Sequence, residues 1–290
     1  MKILRKEPLK KHTSFRIGGP AEYFCVPKNV DELRECLLFA GKNHLPVAII
    51  GTGTNLLALD KGFSGLVIKL AGGLNRIKVR GRIVHAGAGA ALPKLLASLS
   101  RRGLAGLEFL AGIPGTVGGA AVMNAGAWSK EIGPYIERIK VLDKDGNVKV
   151  LENKDLDFSY RGSALQASHF IAAEVVLKLR KGKPGPIRKK ITGFLEKRKI
   201  NQPLGIPNAG SVFKNPKGKF AGKLLEEAGF KGMRSGDAQV STRHANFIVN
   251  LGEAKARDVI KLMTRMQNTV WRKFKVKLEP ELKIMVQSIK

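Results

Sequence analysis

The chain has 290 residues, 43% of them hydrophobic and 26% charged, enough to bury a substantial core in two or three units of ordinary size. Its 52 Lys and Arg against 23 Asp and Glu leave a net charge of +29, a field that draws in anionic ligands and surfaces alike. Nothing in the chain matches a dedicated nucleic-acid-binding motif, so nucleic acid is set aside as its main partner.

From the N-terminus, "MKILRKEPLKKHTSF" has no apolar core of signal-peptide length, and a cytoplasmic protein is expected. "AEYFCVP" (Ala21 to Pro27) alternates as a strand, and "NVDELRECLLFAGKNHL" predicts a helix starting near Asp31, with Leu33, Leu37, Leu38 and Leu45 toward one face. Cys25 and Cys36 have neither CxxC spacing nor a nearby histidine pair; they read as buried thiols, not a disulfide framework, and no metal site is expected. "PVAII" predicts a strand running straight into "GTGTNLL", the arrangement of an α/β unit with a ligand at the carboxyl end of the strand. Further strands are predicted at "RIVHAGAGA", "ERIKVLD", "VKVLE" and "FIAAEVVLKL", with a helix at "ALPKLLASLSRRGL" and a hairpin turn at "DKDGN". The basic Gly/Pro stretch "RKGKPGPIRKK" (Arg180 to Lys190) predicts a linker. Beyond it, "ITGFLEKRK", "KFAGKLLEEAGF" and "EAKARDVIKLMTRMQNTVWRKF" predict helices, "NFIVN" a strand and "VKLEPELKIMV" a terminal strand.

Two glycine loops carry the functional signal. In "IIGTGTNLL", Gly51 and Gly53 follow a strand directly, so successive N–H groups can converge on one anion. The loop is neither a dinucleotide fingerprint nor a phosphate loop with its lysine, and a tight turn into a helix explains it equally well. The second loop lies in "FLAGIPGTVGGAAVMNAGAW" (Phe109 to Trp128), which holds no charged side chain. That is long enough to cross a membrane. Five of the sixteen residues from Gly112 to Ala127 are glycine, however, with Pro114 and Asn124 among the rest, too few large apolar groups for insertion. A short helix starting near Thr116 would aim free amides and its positive end at a phosphate. Two such loops suggest a pyrophosphate gripped by backbone from two sides.

Seven blocks then fall in a familiar order: "HTSFRIGGPAEYF", "GTGTNLL", "GLEFLAGIPGTVGGAAVMNAGA", "SYRGS", "NAGSVFKNP", "HANFIVN" and "LEPELKIM". The chain resembles the UDP-N-acetylenolpyruvoylglucosamine reductases over nearly its whole length, in the shorter subclass without the substrate-covering tyrosine loop. The resemblance implies an α+β fold with FAD binding of the vanillyl-alcohol-oxidase type: FAD subdomains at 1–70 and 71–182 and a C-terminal substrate domain at 183–290. It also implies the reaction. NADPH reduces FAD, and hydride from flavin N5 passes to C3 of the enolpyruvyl UDP sugar to give UDP-N-acetylmuramate for peptidoglycan. Ser211 would give the proton at C2, Arg161 would hold the substrate carboxylate, and Glu281 would help stabilise the charge, protonated or ionised. Taken alone, Ser211 could be a turn serine, Arg161 a salt-bridge partner and Glu281 a solvated strand residue, with Glu279 its competitor. For FAD the resemblance points to Gly51, Thr52, Gly53, Thr54 and Asn55, and to Gly115, Thr116, Gly118 and Gly119. For substrate it points to Tyr160, Arg198, Lys214 and Asn215. Neither loop holds His or Cys, so FAD is expected to be bound non-covalently. The expected partner is the small UDP sugar, and the sequence is compatible with a monomer but leaves the oligomeric state open. A flavin oxidase with another substrate and a basic binding protein are the alternatives at this point.

Overall fold

The computed structural model describes residues 2–286. It is a mixed α+β structure divided into two compact units: Met1–Leu4, Tyr23–Thr52 and Gly65–Arg198 form the first, and Arg5–Glu22, Gly53–Ser64 and Lys199–Lys290 the second.

Two sheets organise the first part of the chain. One has four strands in the order Ile3–Pro8, Pro20–Cys25, Phe63–Lys69, Val47–Ile50. Helix α1 (Val30–Lys42) begins where expected, one residue before Asp31, and the Asn29 side chain caps it by accepting the Glu32 amide at 2.9 Å. Its buried face is Leu33, Cys36, Leu37 and Ala40. Cys25 and Cys36 are buried thiols that form no disulfide. Their mutual hydrogen bond, and then burial, push the Cys25 thiol far above the usual range, which makes it unreactive. The second sheet has five antiparallel strands in the order Val148–Glu152, Ile136–Leu142, Ile171–Lys178, Ile83–Gly87, Ile77–Arg80. Its "DKDGN" hairpin forms as predicted, the Asp143 carboxylate accepting the Asp145 and Asn147 amides at 3.0 and 2.9 Å. Helix α2 (Leu92–Arg101) buries Leu92, Leu95, Leu96 and Leu99, and α3 (Val117–Val122) buries Val117, Ala120 and Ala121.

The predicted linker is not one. Arg180–Lys181 pairs with Leu104–Ala105 as short strands, and α4 runs from Pro184 to Asn201. Pro184 and Pro186 sit in its first turn, where an amide has no intrahelical acceptor, so the prolines start the helix instead of breaking it.

In the second unit a four-stranded sheet runs Asn208–Ser211, Phe247–Asn250, Ala238–Val240, Arg234–Ser235. Helix α5 (Ala221–Glu227) precedes it in part, and α6 (Ala256–Phe274) follows with Val259, Leu262, Met263, Met266 and Val270 as its buried stripe. The Asp60 carboxylate accepts the Ala256 and Arg257 amides at 2.8 and 3.1 Å and anchors the start of α6. Leu56–Ala58, directly after the first glycine loop, is a strand and not a helix; it pairs in parallel with Lys283–Met285. The predicted terminal strand shrinks to those last three residues.

Candidate active site

The two glycine loops meet. A Cβ on Gly51 would lie 2.6 Å from Thr116 Oγ1, so only a glycine lets the first loop approach the start of α3 this closely. Gly53, at φ +65, turns the chain where a Cβ would strike the His12 carbonyl oxygen at 2.3 Å. Thr116 caps α3 by accepting the Gly119 amide at 3.2 Å.

The amide donors are not where the sequence suggests. The Val117 N–H goes to the Ala90 carbonyl at 2.8 Å, Gly118 N–H to Ala88 at 2.9 Å, and Gly119 N–H to Thr116. Helix α3 therefore offers no free amide at its first three positions. The amides of Thr52, Gly53, Gly115 and Thr116 meet no acceptor among the described residues. Thr52 Oγ1 is buried with no hydrogen-bond partner among the described residues, a hydroxyl placed to meet a ligand. A diphosphate fits these donors, whereas the amides of Gly118 and Gly119 are already taken, and the missing side chain of Gly118 makes room for Ala88.

Ser211 and Glu281 come together in the second unit. A bulge separates the Asn208 and Ser211 pairings with Val249 and Phe247. Gly210, at φ +77, makes it, and the Asn208 side chain accepts the Gly210 amide at 2.9 Å. Such a bulge re-aims the side chain that follows, here half-buried Ser211. The next residue, Val212, accepts the Glu281 amide at 2.8 Å, and Lys214 N–H goes to the Glu279 carbonyl at 2.8 Å. Asn55, closing the first glycine loop, donates its side chain to the Glu281 carbonyl at 3.1 Å, while its own carbonyl accepts the Lys283 amide at 3.1 Å. Buried Asn246 locks the other side, bonding Phe213 N–H and carbonyl at 3.0 and 2.8 Å. Glu279 is exposed and paired with Lys214 at 3.6 Å; Glu281 is half-buried. Asn215 caps α5 by accepting the Ala221 amide at 3.0 Å.

Arg161 belongs to the first unit. It holds φ +57 at the tip of a turn bridged between Ser159 and Gly162, with its guanidinium 5.0 Å from the exposed Tyr160 ring and Nη2 donating to the Gly126 carbonyl at 2.9 Å. Arg198, on α4, passes beside Gly112, whose missing side chain leaves room for it. Burial, and then the charge of Arg161, lower its affinity for a proton; two guanidiniums share this region, an arrangement suited to anionic ligands. Sequence reasoning missed Asn55 as the link to Glu281, and Asn124, Asn246 and Gln166 as supports. Their polar side chains were visible in the letters, but most of their partners lie far along the chain.

Residues 21–152 match the model of the FAD binding domain. The chain also shares its fold with a cholesterol oxidase from Brevibacterium sterolicum, at TM-score 0.50 and 16% identity over 62% of this chain and 37% of that one. The class is thus that of the FAD-binding flavoproteins, an α+β fold, as the resemblance implied.

Within that class the match is closer. Residues 202–285 match the model of the UDP-N-acetylenolpyruvoylglucosamine reductase C-terminal domain. A Symbiobacterium thermophilum protein called UDP-N-acetylenolpyruvoylglucosamine reductase 2 is 50% identical over 283 residues, 98% of this chain and 92% of its own. The crystal structure of UDP-N-acetylenolpyruvylglucosamine reductase from Thermus caldophilus superposes with TM-score 0.84 at 38% identity, covering 98% of both chains. The chain belongs to the UDP-N-acetylenolpyruvoylglucosamine reductase family and is an oxidoreductase. Among the described residues no helix is long and apolar enough to cross a membrane.

Proposed function

We propose that the chain reduces UDP-N-acetylglucosamine enolpyruvate to UDP-N-acetylmuramate with NADPH, in the cytoplasmic synthesis of peptidoglycan precursors. The observation that carries this reading is the pairing of the Ser211–Val212 segment with Glu281, tied through Asn55 to the first glycine loop. That linkage suits a hydroxyl and a carboxyl acting on a substrate held against the cofactor. Bound FAD would supply the chemistry of hydride transfer, carrying the two electrons of NADPH to the substrate.

The chain's own residues would do the rest. Gly51, Thr52, Gly53, Thr54 and Asn55, with Gly115, Thr116, Gly118 and Gly119, would hold FAD through backbone amides, the Thr52 hydroxyl and clearance. Arg161 would grip the substrate carboxylate, because its planar fork matches two oxygens. Hydride arriving at C3 leaves negative charge on C2 and the carboxylate, which Arg161 and Glu281 would stabilise. Ser211 would deliver the proton to C2. Tyr160, Arg198, Lys214 and Asn215 would contact the UDP sugar, although Lys214 also pairs with Glu279 and Asn215 caps α5. The division 1–70, 71–182 and 183–290 is supported by one principal sheet in each segment.

The test is rapid mixing. The NADPH-reduced protein is expected to reoxidise with the enolpyruvyl UDP sugar far faster than with oxygen. A protein that reoxidises only with oxygen, or purifies without flavin absorbance and takes up no added FAD, overturns the reading.

A further inference from the structure

Arg161 occupies a left-handed backbone conformation that an arginine does not hold unaided. Ser159 and Gly162 close the turn beneath it with paired N–H to carbonyl bonds of 3.1 and 3.0 Å. Three side chains tie that turn to the segment around the end of α3. Asn124, buried and itself at φ +42, donates to the Ser159 carbonyl at 2.8 Å and to the Glu131 carboxylate at 2.7 Å. Ser163 Oγ donates to the Val122 carbonyl at 2.7 Å. Gln166 does something different: its carboxamide NH2 donates both to the Val122 carbonyl, at 3.2 Å, and to the carbonyl of Arg161 itself, at 2.9 Å.

We propose that Gln166 is a positioning residue for Arg161. Its two amide hydrogens clamp the Arg161 carbonyl to the last residue of α3, and thereby fix where the guanidinium meets the substrate carboxylate. The chemistry selects glutamine: two carbonyl oxygens need a neutral group with two donors in one plane, and a carboxamide supplies both. At the other end of the same residue, the bond from Nη2 to the Gly126 carbonyl leaves the guanidinium anchored on the segment just beyond α3. The turn is thus held at both its main chain and its side chain against one stretch of structure, residues 122–126. This inference rests on the reading of Arg161 as the carboxylate holder.

The experiment titrates oxidised holoenzyme with the enolpyruvyl UDP sugar, reading the change in flavin absorbance as a dissociation constant. Gln166→Met keeps length but removes both donors. It is expected to weaken substrate binding about tenfold and to lower the melting temperature by a few degrees, while leaving FAD content and the rate of flavin reduction by NADPH unchanged. Ser163→Ala removes a bond to Val122 without touching Arg161 and is expected to change binding by less than about threefold. In an Arg161→Ala background, Gln166→Met is expected to add nothing. Wild-type binding by Gln166→Met, or the same loss in the Arg161→Ala background as in the wild type, overturns the proposal. Normal binding by Arg161→Ala alone instead refutes the role of Arg161, and the proposal with it. If Gln166→Met loses FAD, Gln166→Glu provides the comparison: it keeps the shape, sets a carboxylate against two carbonyls, and is expected to weaken binding further.

Discussion

Gly51→Ala isolates the contact between the two glycine loops. Gly51 is not in a left-handed conformation, so alanine brings no backbone strain and acts only through its methyl group. That methyl would sit 2.6 Å from Thr116 Oγ1, where an ordinary contact begins near 3.4 Å, so about 0.8 Å must be found. If Thr116 rotates away, it gives up the Gly119 amide at 3.2 Å, a cap whose loss costs about 1 kcal/mol. If it stays, the loops part by that distance, and the donors at Thr52, Gly53, Gly115 and Thr116 no longer converge. Either way the apoprotein is expected to melt a few degrees lower, with FAD bound about tenfold more weakly. Melting with and without added FAD, and quenching of flavin fluorescence on titration, measure both. The double variant Gly51→Ala/Thr116→Ala removes the clashing Oγ1 and Cγ2, and is expected to recover part of the FAD affinity although the cap is gone. Unchanged FAD affinity in Gly51→Ala would refute the two-loop grip.

Ser211→Ala should still accept electrons from NADPH but lose roughly 10²–10⁴-fold in turnover of the enolpyruvyl sugar; normal turnover by rapid mixing removes Ser211 as proton donor. Asn55→Ala frees the carbonyl of Glu281 from its 3.1 Å bond, and is expected to slow substrate reduction more than flavin reduction by NADPH; equal effects on both half-reactions would count against it. His244 predicts a pH response. Burial, then the charge of Lys231, depress its folded proton affinity below the ordinary 6.5, and its Nδ1 accepts the Asn246 amide at 3.2 Å. The unfolded chain therefore binds the extra proton first, and stability is fully present above about pH 6.5 and declines as pH falls below it. Denaturant melts of His244→Gln across that range should show a flatter slope than the wild type; the same slope would exclude His244 as its source.

Four of the five strands of the antiparallel sheet were legible as short apolar runs, and "DKDGN" has the side chains a hairpin turn needs; Ile77–Arg80 was not read as a strand. Helices α2 and α6 show their apolar stripe in the letters, and the helix expected to start near Thr116 does start there. What failed were inferences from composition without tertiary context. Gly and Pro in "RKGKPGPIRKK" read as a flexible connection, although prolines in a first helical turn cost nothing. The donors of α3 looked free because no local pattern shows that the Ala88 and Ala90 carbonyls return to meet Val117 and Gly118. The strand after the first glycine loop was invisible for the same reason: three residues have no period, and their partner lies at 283–285. Arg161, Ser211 and Glu281 were named by resemblance to a family, while the network that holds them was not readable from neighbours in sequence.

The bond between Asn55 and Glu281 spans 226 positions. Contacts so distant along a polypeptide form late, because closing a long loop must precede any reward from the contact. A ribosome making this protein therefore emits the early nucleotide-loop residues long before the segment that completes their surroundings. Until then Leu57, fully buried in the finished molecule, lacks part of its cover. Newly made copies should thus pass through a stage that is sticky and slow to mature until residues 283–285 pair with 56–58.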